Sequence, residues 1–137
     1  MSGARFLLVE DDDMLSASIT RALTQLGGIV VALTNTDDAR RMLTMEGPYV
    51  AILVELRLAG PVADPLLLLR DARDLHPRAR RILMSGAQSG AVGALVARAM
   101  KDGVADDFLA KPFGWPLLER IVARPIPTST GPGEGGG

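Results

Sequence analysis

Short apolar runs alternate with amphipathic stretches along the chain. Arg5 to Val9 is an apolar run of strand length, and Ile29 to Leu33 is a β-branched one. Tyr49 to Val54 is almost continuously apolar, which predicts a central strand covered on both faces. Arg81 to Met84 and Asp107 to Ala110 predict a fourth and a fifth strand. Between the strands the period changes. Leu15, Ile19, Leu23 and Leu26 recur at helical spacing, predicting a helix over 14–26 that Gly27-Gly28 stops. Thr36 is placed to cap a second helix carrying Ala39, Met42 and Leu43, which Gly47-Pro48 ends. Asp64-Pro65 reads as an N-cap followed by proline at the first helical position, opening a third helix that stops at Leu75, before His76-Pro77. An alanine-rich helix from Gly90 to Lys101 ends at Gly103, and a last helix spans Pro116 to Arg124.

Five strands alternating with five helices imply a parallel sheet with helices on both faces. Right-handed crossovers favour a doubly wound α/β sheet of order 2-1-3-4-5. Such sheets bind ligands at the carboxyl ends of the strands, at the switch point between the first and third. Glu10, Asp11, Glu55, Ser85 and Lys111 all fall at or just after a strand end, so the topology gathers them.

Composition narrows the function classes. The 137 residues fit one domain over residues 1–124, followed by a Pro/Gly-rich tail at 125–137 that reads as disordered or as a linker. Lys plus Arg number 15 against 16 Asp plus Glu, a balance that argues against broad nucleic-acid or membrane binding. The one basic cluster, Arg78, Arg80 and Arg81, is expected to be a solvated loop and strand start. Cysteine is absent, which excludes disulfides, thiolate metal sites and thiol catalysis. No basic-then-apolar leader and no apolar run near about 18 residues is present, so a soluble, cytoplasmic protein is expected.

The remaining pattern is specific. Leu7-Leu8-Val9-Glu10-Asp11-Asp12, Ile52 to Gly60, Ile82 to Ala87 and Asp107 to Phe113 occur in order and at fixed separations. Over residues 4–124 this resembles the receiver domain of bacterial two-component response regulators, a flavodoxin-like fold. The resemblance implies a divalent cation, Mg²⁺, held by Glu10, Asp11, the acceptor-position carboxylate of Glu55 and a backbone carbonyl at Arg57. Lys111 would balance phosphoryl charge, Ser85 would hydrogen-bond the phosphoryl group, and Phe108 would rotate inward on that engagement. The Lys111-Pro112 bond would be cis. Implied partners are a histidine kinase, a phosphotransfer protein or an output effector, with a homodimer through helix 4, strand 5 and helix 5. No enzyme activity is implied.

The departure is at position 55, where the family carries its phosphorylatable aspartate and this chain carries Glu55. Glutamate keeps the charge and reaches one C–C bond further. It is placed to pair with Lys111 and accept from Ser85, and its carboxylate enters the space that metal and phosphate would share. Two readings follow. One is a natural acceptor-less receiver, a pseudo-receiver that acts by docking and imitates the phosphorylated state in part. The other is a phosphoryl-accepting receiver whose Asp was replaced by Glu55. Mg²⁺ binding is expected to be weakened or altered. Ala59 and Pro61-Val62-Ala63 also depart from the family pattern, so the loop after the third strand is expected to take an unusual path.

Other classes find less support. A small flavodoxin-like enzyme or nucleotide binder would need a Gly-x-Gly-x-x-Gly or a Gly-x-x-x-x-Gly-Lys-Ser/Thr, and neither occurs. The sole histidine, His76, reads as a cap or surface residue. Leu66-Leu67-Leu68-Leu69 points all round a helix, so one or two of these leucines should be exposed or covered. Trp115 is either a partner anchor or packed on its own domain. Ala91, Ala94, Ala97 and Arg98 leave room for close approach on helix 4.

Overall fold

The computed structural model describes residues 3–61, 63–86 and 90–123. Its elements run β1 (Arg5–Val9), α1 (Asp13–Gln25), β2 (Ile29–Leu33), α2 (Thr36–Met45), β3 (Ala51–Glu55), α3 (Ala63–Leu75), β4 (Arg80–Ser85), α4 (Gly90–Lys101), β5 (Asp107–Ala110) and α5 (Trp115–Ala123). The strands form one parallel sheet of order β2-β1-β3-β4-β5, the doubly wound α/β arrangement expected from the alternating pattern. The tail at 125–137, Val62 and residues 87–89 lie outside the described residues.

The inner strands β1, β3 and β4 are buried on both faces because their middle positions are apolar and helices cover each side. Successive residues of one strand alternate between the two layers. Leu7, Val9, Ile52, Val54 and Leu83 join Ala39 and Leu43 of α2, Leu68, Leu69 and Ala72 of α3, and Ala99 of α4. Phe6, Leu8, Leu53, Ile82, Met84 and Leu109 face the other way, onto Ile19 and Leu23 of α1 and Leu118, Ile121 and Val122 of α5. Gly28, where the chain leaves α1 for β2, is required by this closeness. A Cβ there would stand 2.5 Å from the Phe6 ring and 2.9 Å from the Leu23 carbonyl.

Helix α1 runs one residue earlier at each end than the expected 14–26, and three other helix starts also differ from the sequence reading. The cap of α2 is Asn35, whose side chain accepts from the Asp38 amide at 2.8 Å, and Thr36 is already helical. An amide side chain one residue earlier satisfies the same orphan N–H groups. Helix α3 opens at Ala63, so Asp64 and Pro65 lie inside its first turn rather than at its cap. Helix α5 opens at Trp115, one residue before Pro116.

The basic cluster is not solvated as expected. Only Arg78 is exposed; Arg80 and Arg81 are buried. Arg80 pairs with Asp107, and Arg81 reaches Asp106 and the carbonyls of Gly103 and Val104 at 3.1 Å each. Parallel pairing of β4 with β5 brings two arginines against two aspartates across 25 or more residues of sequence. Burial of these charges is tolerable because each is matched.

The leucine run divides as a helix dictates. Leu68 and Leu69 are buried, Leu66 is half-buried, and Leu67 is 44% exposed. His76 caps α2, not its own helix. Its Nε2 lies 2.7 Å from the Leu43 carbonyl, its ring meets Tyr49 edge-on, and Tyr49 Oη donates to the Met42 carbonyl at 3.2 Å. Two side chains from elsewhere thus satisfy carbonyls that a helix C-terminus leaves orphaned.

Candidate functional site

The acidic run after β1 is divided among different tasks. The backbone pairing of β1 with β2 continues one residue past the strand, since the Glu10 amide donates to the Leu33 carbonyl at 3.0 Å. This turns the Glu10 side chain into the protein, where it is 1% exposed. Asp11 is exposed at the rim. Asp12 is the N-cap of α1, its carboxylate accepting from the Leu15 amide at 3.1 Å, and Asp13 lies in the first turn, where negative charge suits the helix dipole.

The other site residues arrive on three strands. Glu55 is the last residue of β3 and is 4% exposed. Ser85 ends β4 and is fully buried, and its carbonyl accepts from the Lys111 amide at 3.0 Å. Lys111 follows β5 directly, on a cis bond to Pro112. Phe108 is half-buried against the α2–α3–α4 layer. Together with Glu10, Asp11, Asp12, Arg57 and Gly86, Glu55 and Lys111 line a cleft of about 320 Å³ at the carboxyl ends of β1 and β3.

The charges in this cleft are arranged around one ammonium. Lys111 Nζ lies 2.6 Å from Glu10 Oε1 and also pairs with Glu55 Oε1. The second oxygen of each glutamate is engaged by backbone: Glu10 Oε2 accepts from the Asp12 amide at 3.1 Å, and Glu55 Oε2 from the Arg57 amide at 2.7 Å. Burial pushes the Glu10 carboxyl above the usual carboxylate range; Lys111 and the Asp12 amide pull it back only in part, and Glu55 adds to the rise. Burial works to lower the Lys111 pKa, but its hydrogen bonds to Glu10 and Glu55 and their charges outweigh it, and the net shift is upward.

Beside the cleft, and sharing Asp12 and Lys111 with it, runs an apolar groove of about 570 Å³ lined by Met14, Leu15, Ser18, Pro112, Phe113 and Trp115. Trp115 is 40% exposed and meets the Phe113 ring edge-on at 6.0 Å between centroids. Met14 is the most exposed large apolar residue here, at 83%. The sequence reading did not single it out. The signal was present, because Met14 sits one position off the buried stripe of Leu15, Ile19 and Leu23.

Comparisons with known proteins place this geometry. No family model matches the chain. It is 35% identical over 126 residues to the transcriptional regulatory protein TcrA of Mycobacterium tuberculosis, covering 90% of this chain and 45% of that protein. It is 31% identical over 130 residues to the transcriptional regulatory protein QseB of Haemophilus influenzae, covering 88% and 50%. The chain therefore spans about half the length of the curated relatives it matches. Among solved structures, the receiver domain of the sensor histidine kinase PA1611 from Pseudomonas aeruginosa superposes with a TM-score of 0.75 at 28% identity, covering 90% of this chain and 97% of that domain. These residues form a response-regulator receiver domain.

The PA1611 receiver has a magnesium ion coordinated in its active-site cleft. In the present receiver the donors are spoken for. Both oxygens of Glu10 and both of Glu55 have partners within the chain. Asp11 lines the same cleft as an exposed residue, and among the described residues no three acidic or histidine side chains are grouped to hold a metal ion. Mg²⁺ demands near-ideal octahedral oxygen ligation, and Glu10, Asp11, Glu55 and Arg57 are the residues lining this cleft that could supply oxygen donors. No helix among the described residues is long and apolar enough to cross a membrane.

Proposed function

We propose that this receiver acts in two-component signal transduction as a docking module whose Glu55 occupies the phospho-acceptor position. In this reading Glu55 takes over part of the role of a phosphoryl group. The observation that carries it is the Glu55–Lys111 ion pair, closed across the cleft from β3 to the residue after β5. A phosphorylated acceptor would present its oxygens to that lysine, and the longer glutamate presents a carboxylate instead. The imitation is partial, since a phosphoryl group carries roughly −1.5 to −2 charge and three acceptor oxygens. Ser85 and Phe108 are the switch residues in this reading, and the burial of Ser85 and half-burial of Phe108 are compatible with it.

Such a module works by contact rather than turnover. Its partners are a histidine kinase, a phosphotransfer protein or an output effector in the cytoplasm. The α4–β5–α5 face is open for a second copy, with Ala91, Ala94, Ala97 and Arg98 exposed along α4. The folded unit is residues 1–124, with 125–137 as its tail. Glu55 weakens or alters Mg²⁺ binding relative to a receiver with aspartate at position 55.

The test is Glu55→Asp exposed to acetyl phosphate or beryllofluoride with Mg²⁺, followed by intact mass and NMR. The variant is expected to take up the phosphoryl group and to shift towards the spectrum of the Glu55 protein. A folded Glu55→Asp variant that stays unmodified, or whose modified spectrum moves away from that of the Glu55 protein, overturns the reading.

A further inference from the structure

A receiver pocket gathers carboxylates whose mutual repulsion must be relieved by a cation or by protonation. In this chain Glu10 and Glu55 converge from β1 and β3, and the ammonium of Lys111 sits against an oxygen of each. Their remaining oxygens accept from the amides of Asp12 and Arg57, the residues two positions further along each chain segment. The four carboxylate oxygens that could face a metal are thus engaged by one charged side chain and two backbone donors. Lys111 is 20% exposed in its side chain, whereas Glu10 is 1% and Glu55 6%, so the lysine is the most exposed member of the trio.

We infer that Lys111 takes the place of the divalent cation in this receiver, joining Glu10 to Glu55 and closing the cleft to Mg²⁺. The inference rests on the reading of this cleft as the signalling site and goes beyond it. It makes the state of the pocket independent of the metal supply and of the phosphodonor alike. The extra methylene of Glu55 carries its carboxylate one C–C bond further towards the ammonium than an aspartate would. The upward shift of the Lys111 pKa agrees, as two carboxylates hold the proton on the amine. Asp11 remains exposed at the rim and becomes a ligand only once Lys111 releases its partners.

The test uses the whole chain and Mg²⁺ itself. Trp115 is the sole tryptophan and lines the groove together with Lys111, so its fluorescence reports on that corner of the cleft. The amide signals of Asp12 and Arg57 report on the two glutamates directly. Titration of the wild-type protein to about 10 mM Mg²⁺, well above the levels at which a dedicated oxygen site fills, is expected to move none of these signals. Lys111→Gln removes the ammonium and leaves the acids uncompensated, and it is expected to bind Mg²⁺ at least about tenfold more tightly than the wild type. Adding Asp11→Asn to that variant is expected to lose the gained binding. Lys111→Arg keeps a cation at the position and stays blind to the metal. Should Lys111→Gln not fold, the wild-type and Lys111→Arg titrations decide alone, because saturable Mg²⁺-dependent shifts at Asp12 and Arg57 in either protein overturn the inference. So does a Lys111→Gln variant that folds and binds no better than wild type. Phosphoryl uptake by Glu55→Asp is a separate readout: if it succeeds while the wild type binds Mg²⁺, the signalling role stands and the lysine substitution for metal falls.

Discussion

Lys111 and Glu10 are 101 residues apart in sequence and 2.6 Å apart in space, the ammonium of the one on Oε1 of the other. The pair ties the end of β5 to the end of β1 across the intervening β3 and β4. Each partner links folding to pH in its own way. The Glu10 carboxyl is raised, so it binds its proton more tightly in the folded state than the unfolded value of about 4.3 allows. Its contribution to stability is full below that value and is lost as pH rises through the folded pKa. Lys111 is also raised, so its contribution is full below about 10.4 and is lost as pH rises through its folded value. Denaturant unfolding measured against pH is therefore expected to show Glu10→Gln flattening the slope just above pH about 4.3, and Lys111→Gln removing the alkaline loss above about 10.4. Profiles identical to the wild type in both windows would show that neither the burial of Glu10 nor the pairing of Lys111 is coupled to folding.

Asp107→Ala is expected to cost about 3–5 kcal/mol, because it leaves the buried Arg80 guanidinium short of its counter-charge. Replacing both partners, Arg80→Met with Asp107→Leu, should recover much of that loss, since an apolar pair of similar volume avoids the desolvation of two ions. Urea midpoints of the single and double variants separate the two effects. Equal losses would mean that the ion pair itself, rather than the orphaned charge, carries the stability.

His76→Ala removes the donor to the Leu43 carbonyl and the edge-on contact with Tyr49. A loss of about 1–2 kcal/mol is expected, the scale of one buried hydrogen bond with its partner left unpaired. Hydrogen exchange should quicken first in the last turn of α2. Faster exchange confined to α3 would place the role of His76 in its own helix instead.

Gly28→Ala is expected to cost about 1–3 kcal/mol through overpacking, because the new Cβ falls 2.5 Å from the Phe6 ring. Thermal unfolding measures it. Adding Phe6→Leu should relieve part of the strain, and a double variant no more stable than Gly28→Ala alone would point to the Leu23 carbonyl, at 2.9 Å, as the obstacle.

The sheet order was legible because burial on two faces leaves a continuous apolar run that no helix period imitates. Tyr49 to Val54 announced β3 in this way, though Tyr49 itself proved to be a buried residue ahead of the strand. Helix caps were less legible, because Asn35 and Thr36 are both good caps and only backbone geometry chooses between them. The candidate site residues were visible as polar letters at strand ends, and the fold brings Glu10, Asp11, Glu55 and Lys111 to one cleft. Met14 was passed over because a single exposed methionine has no meaning until Trp115, 101 positions later, is set beside it.

By itself the sequence determined the alternation of strand and helix, the parallel sheet it implies, and the gathering of charged residues at one edge, since each follows from local periodicity and chain chirality. Tertiary structure alone decided how those charges are shared. Nothing local distinguishes Arg78, which is exposed, from Arg80 and Arg81, which are buried against Asp107 and Asp106. Nor does any local rule give one lysine to two glutamates from different strands. Ion pairing and burial are set by distances across the sheet, and those exist only once the chain has folded.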